Sequence, residues 1–130
     1  MQADRLANVQ IFSSLSKKEL EHLAQWTDEV NVPEGETLAE QGRFAHEFFV
    51  IEDGAAEVRK DGERIAELGP GDFFGEIGLL ETDRRTASVV ATTPMRVIVM
   101  FQREFKQMER EMPSIATLIR SAIRARLDEQ

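Results

Sequence analysis

Gly71-Asp72-Phe73-Phe74-Gly75-Glu76-Ile77-Gly78-Leu79-Leu80-Glu81-Thr82-Asp83-Arg84-Arg85-Thr86-Ala87-Ser88 places one short helical turn, over about residues 76–80, inside sequence that otherwise reads as β-strand. A helix start presents unpaired N–H groups and about half a positive charge, so the turn predicts an anion site. Gly75 and Gly78 let a ligand or a second backbone approach closely. Arg85 follows on a loop that can fold back onto the same anion with a charge-assisted, bidentate contact. Glu76 sits beside this positive field, where its carboxylate can accept hydrogen bonds from sugar hydroxyls, as an acidic residue does for ribose in dinucleotide folds. Anion donors beside a ribose acceptor describe a sugar-phosphate ligand.

The sequence on either side is β-like from Val30 to about Phe101, punctuated by Pro33-Glu34-Gly35, Gln41-Gly42, Asp53-Gly54, Asp61-Gly62 and Gly69-Pro70-Gly71. Turn signals recurring every ~8–12 residues predict an all-β roll, barrel or sandwich. Phe48-Phe49-Val50-Ile51 and Met95–Phe101 read as the most buried strands. Ala55-Ala56-Glu57-Val58-Arg59 and Glu63-Arg64-Ile65-Ala66, joined through Asp61-Gly62, read as a hairpin with a tight turn. Helices are expected at both ends. Ser16-Lys17-Lys18-Glu19 is a capping box before an amphipathic helix over 17–27, with Leu6, Val9, Ile11 and Phe12 forming a short apolar segment packed against it. Phe105, Met108 and Met112 mark a second helix, Pro113 interrupts, and Ile115, Leu118, Ile119, Ala122, Ile123 and Leu127 stripe a third.

Composition narrows the classes. The 130 residues suit one domain with one core. Net charge is −8, which argues against a nucleic-acid surface. Residues 1–82 hold 7 basic and 18 acidic side chains, whereas residues 83–130 hold 9 and 6, so an anion is better received in the last third. Zero cysteines exclude disulfides, iron–sulfur clusters and thiol catalysis. No apolar run reaches the ~20 residues of a membrane span, and residues 1–6 lack the order of a signal peptide. A cytoplasmic location is expected. His22 and His46 are too separated for a metal site, and Met108 and Met112, four apart, belong to a core rather than a cofactor box.

Phe74-Gly75-Glu76-Ile77-Gly78-Leu79 followed by Arg85-Thr86-Ala87-Ser88 resembles the phosphate-binding cassette of cyclic-nucleotide-binding domains, the family of bacterial catabolite regulators, protein kinase A regulatory subunits and pacemaker-type channels. Pro33-Glu34-Gly35-Glu36, Gln41-Gly42, residues 48–54 and Leu68-Gly69-Pro70-Gly71-Asp72 are similar to that family's strand and turn markers. The resemblance implies a mainly β fold with flanking helices: a double-stranded β-helix, or jelly-roll-like β-roll, with one N-terminal helix and two C-terminal helices. It divides a single domain over 1–130 into an N-terminal helical segment (1–28), a roll (29–101) holding the cassette at 74–88, and C-terminal helices (102–130).

The resemblance also implies roles. Glu76 would accept the ribose 2′-hydroxyl, and Arg85 would pair with the cyclic phosphate. Backbone amides of Gly75, Glu76, Ile77 and Ala87 would complete the cradle. Thr86 would lie near phosphate and base, a hydroxyl similar to that of members accepting cGMP as well as cAMP. Val58, Ala66 and Leu68 align with apolar positions flanking the purine, and Arg126, with Arg124 as competitor, with a residue that closes over the base. Two positions depart from the pattern. Gly78 replaces the usual alanine or cysteine, loosening the short helix by up to ~1 kcal/mol. Arg84 stands where many relatives carry proline, and is expected to be solvated.

The expected function is a regulatory module that binds cAMP or cGMP, without a cofactor or metal and without chemistry on the ligand. Its effector would be a further domain, another protein or a second copy of itself. The alternative is a structural or dimerisation module that has lost the ligand. A cupin-like metalloenzyme would need clustered histidines, a haem or iron–sulfur sensor axial Cys or His, and a DNA-binding regulator a helix-turn-helix after the last helix. Two isolated histidines, no cysteine and no helix-turn-helix pattern argue against all three.

Overall fold

The computed structural model describes residues 12–75 and 84–128, with side chains through residue 125, and divides the apolar run Phe48-Phe49-Val50-Ile51 between two cores. The run lies in strand β3 (Glu47–Asp53; strands are numbered β1–β8 and helices α1–α3 in chain order). Successive strand residues face opposite sides. Phe48 and Val50 therefore pack toward helices, while Phe49 and Ile51 pack toward a second sheet. Strand β8 (Met95–Phe101) alternates in the same way, with Ile98 and Met100 on the helix side and Val97 and Val99 on the other. Phe48–Ile51 and Val97–Phe101 read as continuously apolar because both faces of their strands are covered.

Strands β1 (Asp28–Val32), β8, β3 and β6 (Phe73–Phe74) form one antiparallel sheet in the order β1-β8-β3-β6. Strands β2 (Thr37–Ala39), β7 (Ser88–Ala91), β4 (Ala56–Lys60) and β5 (Glu63–Leu68) form the other, in the order β2-β7-β4-β5. The two sheets enclose Phe49, Ile51, Ala56, Val89, Ala91, Val97 and Val99. Helices α1 (Lys17–Ala24), α2 (Gln102–Glu111) and α3 (Pro113–Asp128) cover the outer face of the first sheet through Leu20, Leu23, Phe105, Met108, Ile119 and Ile123. Among the described residues the observed architecture is thus a β-roll with one helix before it and two after it.

The hairpin turns at Asp61 (φ 54°) and Gly62 (φ 83°), the paired positive φ values that a two-residue turn with matching twist requires. Ile65 is an extra residue in β5, since Val58 opposes Ala66 while Arg59 opposes Arg64. The capping box forms: Glu19 N–H donates to Ser16 Oγ and Ser16 N–H to Glu19 Oε1. Helix α1 stops at Ala24, short of the expected residue 27. Gln25 N–H closes onto the carbonyls of His22 and Leu23, the buried Thr27 hydroxyl donates to Leu23 O, and the chain is extended by Asp28, two residues before the expected change at Val30. Leu6, Val9 and Ile11 lie outside the described residues; Phe12 is buried against α1 and α2. Pro113 opens α3, at the position where its missing N–H costs nothing. Arg120 of α3 pairs with Glu109 of α2 and stacks 5.4 Å above Phe105, fastening the two helices together.

Candidate functional site

Arg85 organises the site. It follows an isolated bridge between Arg84 and Phe44, and its backbone is held on both sides: its N–H donates to Arg43 O at 2.7 Å, and its carbonyl accepts from Gly42 N–H at 2.9 Å. The loop over residues 40–44 thereby fixes where Arg85 leaves the backbone. The side chain then runs inward and is 8% exposed. Its Nη2 donates to the carbonyl of Glu47, at the start of β3, at 2.8 Å. A buried guanidinium aimed by a backbone carbonyl is pre-organised, because little rotamer freedom is left to lose on meeting an anion.

Gly75 lies directly against this group. It ends β6 with φ +80°, and a Cβ built there would meet the Arg85 guanidinium and lie 2.6 Å from Glu47 O. Only glycine leaves the fork and the backbone in contact. Arg84 does not point into the site. It is exposed, as expected of a solvated arginine, and it also pins the 40–44 loop: its Nη1 donates to Gly42 O at 2.7 Å and its guanidinium sits 4.3 Å over the Phe44 ring. The same loop reaches the hairpin: Gln41 Nε2 donates to Asp61 Oδ1 at 2.8 Å, Asp61 N–H donates to Gln41 Oε1 at 2.9 Å, and Gln41 N–H donates to Ser88 Oγ at 2.9 Å.

The second sheet supplies an apolar surface beside Arg85. Directly opposed residues of antiparallel strands share a face, so Ala66, Val58, Val89 and Ala39 form one inward-facing row across β5, β4, β7 and β2. Burial falls along this row toward β5. Ala39 and Val89 are covered (5% exposed at Val89), Val58 is half-buried and Ala66 is exposed. The row opens because the facing sheet ends there in β6, which is two residues long and cannot cover it. Leu68, two residues beyond Ala66 on the same face of β5, is half-buried against the inner core. The three positions expected to flank a purine are thus brought together on an uncovered stretch of the inner face.

Thr86 is exposed and Ala87 half-buried on the segment leading into β7. Glu76, Ile77 and the expected turn over 76–80 lie outside the described residues. Arg126 is on α3, with its side chain outside them, and the competing Arg124 is exposed. Sequence reading missed the Glu47 carbonyl and the clamp formed by Gly42 and Arg43. Gln41-Gly42 was legible as a turn, but nothing in its residue types tells that its backbone would hold Arg85. Among the described residues no group of three or more His, Cys, Asp or Glu could hold a metal ion, and no helix is long and apolar enough to cross a membrane.

The cyclic nucleotide-binding domain family matches residues 29–111. The cAMP-dependent protein kinase regulatory subunit of Aspergillus fumigatus is 37% identical over 105 residues, covering 79% of this chain and 25% of that protein. The corresponding subunit of Schizosaccharomyces pombe is 32% identical over 123 residues, covering 94% of this chain and 29% of that one. The chain therefore spans about a quarter of the length of the curated relatives it matches. In fold, a cyclic nucleotide-binding domain from Methylobacillus flagellatus superposes with a TM-score of 0.82 at 24% identity, over 98% of this chain and 76% of that one.

Proposed function

Because this chain belongs to the cyclic nucleotide-binding domain family, we propose that it binds cAMP, and cGMP where the exposed Thr86 hydroxyl can meet the guanine, as a regulatory module that leaves the ligand chemically unchanged. The observation that carries this reading is the buried Arg85 guanidinium, aimed by Glu47 O and lying against Gly75, beside the open row of Ala66 and Val58. The cation meets the cyclic phosphate and the apolar row receives the purine. Glu76 accepts the ribose 2′-hydroxyl, and backbone amides of Gly75, Glu76, Ile77 and Ala87 complete the cradle. Leu68 borders the base, and α3 closes over it through Arg126. The coupling between ligand and helix cannot exceed the ligand's difference in affinity for the open and closed states, typically about 1–3 kcal/mol. The effector is a further domain, a separate protein or a second copy of the chain.

Calorimetric titration of cAMP and cGMP into nucleotide-free protein tests the reading, with Arg85→Ala alongside. The variant is expected to lose about 2 kcal/mol or more, the scale of a lost charged hydrogen-bond partner, and chromatography is expected to recover the nucleotide intact. No heat and no thermal shift with either nucleotide would replace the receptor with a structural module.

A further inference from the structure

The two sheets approach each other along two seams. One, between β5 and β6, flanks Arg85. Along the other, β1 is the outermost strand of its sheet and β2 the outermost strand of its own, and a cavity of about 500 Å³ opens between them. Its floor is apolar, with Val32, Phe49 and Val97 buried. Val30 opposes Val97 and so belongs to the inner face, yet it is 41% exposed at the seam.

The described lining of the mouth carries one sign of charge. Asp28, Glu29, Glu36 and Glu47 line it, and no Lys, Arg or His is among the described lining residues. Arg103 stacks 6.0 Å over the Phe101 ring at the rim, and Arg85 reaches the backbone carbonyl of Glu47. The acidic crowding extends to Glu104, whose carboxyl is held above the usual carboxylate range by burial first and the charge of Asp28 second. An apolar cleft with an anionic rim selects for a cationic, amphipathic occupant and repels acidic surfaces, including anionic lipid. The edges on both sides are strands: among the described residues only β8 pairs with β1 and only β7 with β2. Outermost strands offer backbone N–H and C=O groups that an extended peptide matches and a small cation does not.

We infer that the β1–β2 seam is a docking site for an extended, cationic segment of a partner protein, in which Lys or Arg residues flank aliphatic side chains that enter the cleft. The inference does not rest on nucleotide binding, since Asp28, Val30 and Glu36 are none of the residues assigned to the nucleotide. Glu47 is where the two regions touch, its carbonyl holding Arg85 and its side chain lining the cleft.

The probe is the end-blocked heptapeptide KKVLVKK, titrated into ¹⁵N-labelled full chain and followed by amide chemical shifts. Shifts are expected to concentrate on residues 28–32 and 36–38. Binding is expected to weaken at least tenfold in the Asp28→Asn/Glu36→Gln double variant, and again in Val30→Lys, while both variants melt no lower than the parent and keep its cAMP affinity. Any of four results would overturn the proposal: EEVLVEE binding as tightly as KKVLVKK, shifts falling away from β1 and β2, spermidine giving the same shifts at equal affinity, or no binding at millimolar peptide. Sedimentation of the free chain guards against a fifth, in which a second copy already fills the seam.

Discussion

At Gly75 the backbone holds a φ of +80° with the Arg85 guanidinium against it and Glu47 O within 2.6 Å of any added Cβ. Gly75→Ala is therefore expected to cost about 1–2 kcal/mol from the left-handed conformation alone. It should also weaken nucleotide binding at least as much as Arg85→Ala, because the guanidinium must move to admit the methyl. Urea denaturation and calorimetry on the same sample separate the two effects. Arg85→Lys keeps the charge but loses the planar fork that Glu47 O orients, so its affinity should fall between those of the parent and Arg85→Ala. Gly75 and Arg85 were legible in the sequence because the chemistry of an anion site names residue types. Their supports were not, since Glu47, Arg43 and Gly42 act through backbone atoms that every residue possesses.

The elements answer to patterns of different length. Helix α1 announces itself through a reciprocal cap, and Ser16→Ala should lower stability by about 1 kcal/mol in a thermal melt. Glu104, in the first turn of α2, has its carboxyl pushed up by burial and by Asp28. A carboxyl that binds its proton more tightly when folded makes stability fall as pH rises through its titration. Glu104→Gln should therefore gain on the parent near pH 7 and lose that gain as the pH is lowered toward 4, as parallel melts would record. The apolar runs in β3 and β8 were visible because both faces are buried. Strands β2, β6 and β7 were not assigned from the sequence, because runs of two to four residues are too short to show a period of two. The end of α1 was misplaced because a buried Thr27 bonding back to Leu23 O ends the helix with no glycine or proline to mark it.

Across the whole molecule, a ligand that binds only the folded state stabilises it by mass action. Nucleotide at 100 times its dissociation constant should add about 2.7 kcal/mol and raise the melting temperature by roughly 8 °C, and at the same nucleotide concentration that rise should fall to about a third or less in Arg85→Ala. The order of helix, roll and two helices could be read from where the hydrophobic period changes. The opening of the inner face at Ala66 could not, because it depends on how short β6 is, which is settled only when the sheets face each other. The first sheet stands between the interior of the roll, where the nucleotide is proposed to bind, and the helices, and each apolar residue of β3 belongs to one side or the other: Phe48 and Val50 to the helices, Phe49 and Ile51 to the interior of the roll. Neighbouring codons here thus answer to different demands. A saturating mutational scan scored separately for ligand capture and for helix order should show two phenotypes alternating residue by residue along 48–51, out of phase with each other.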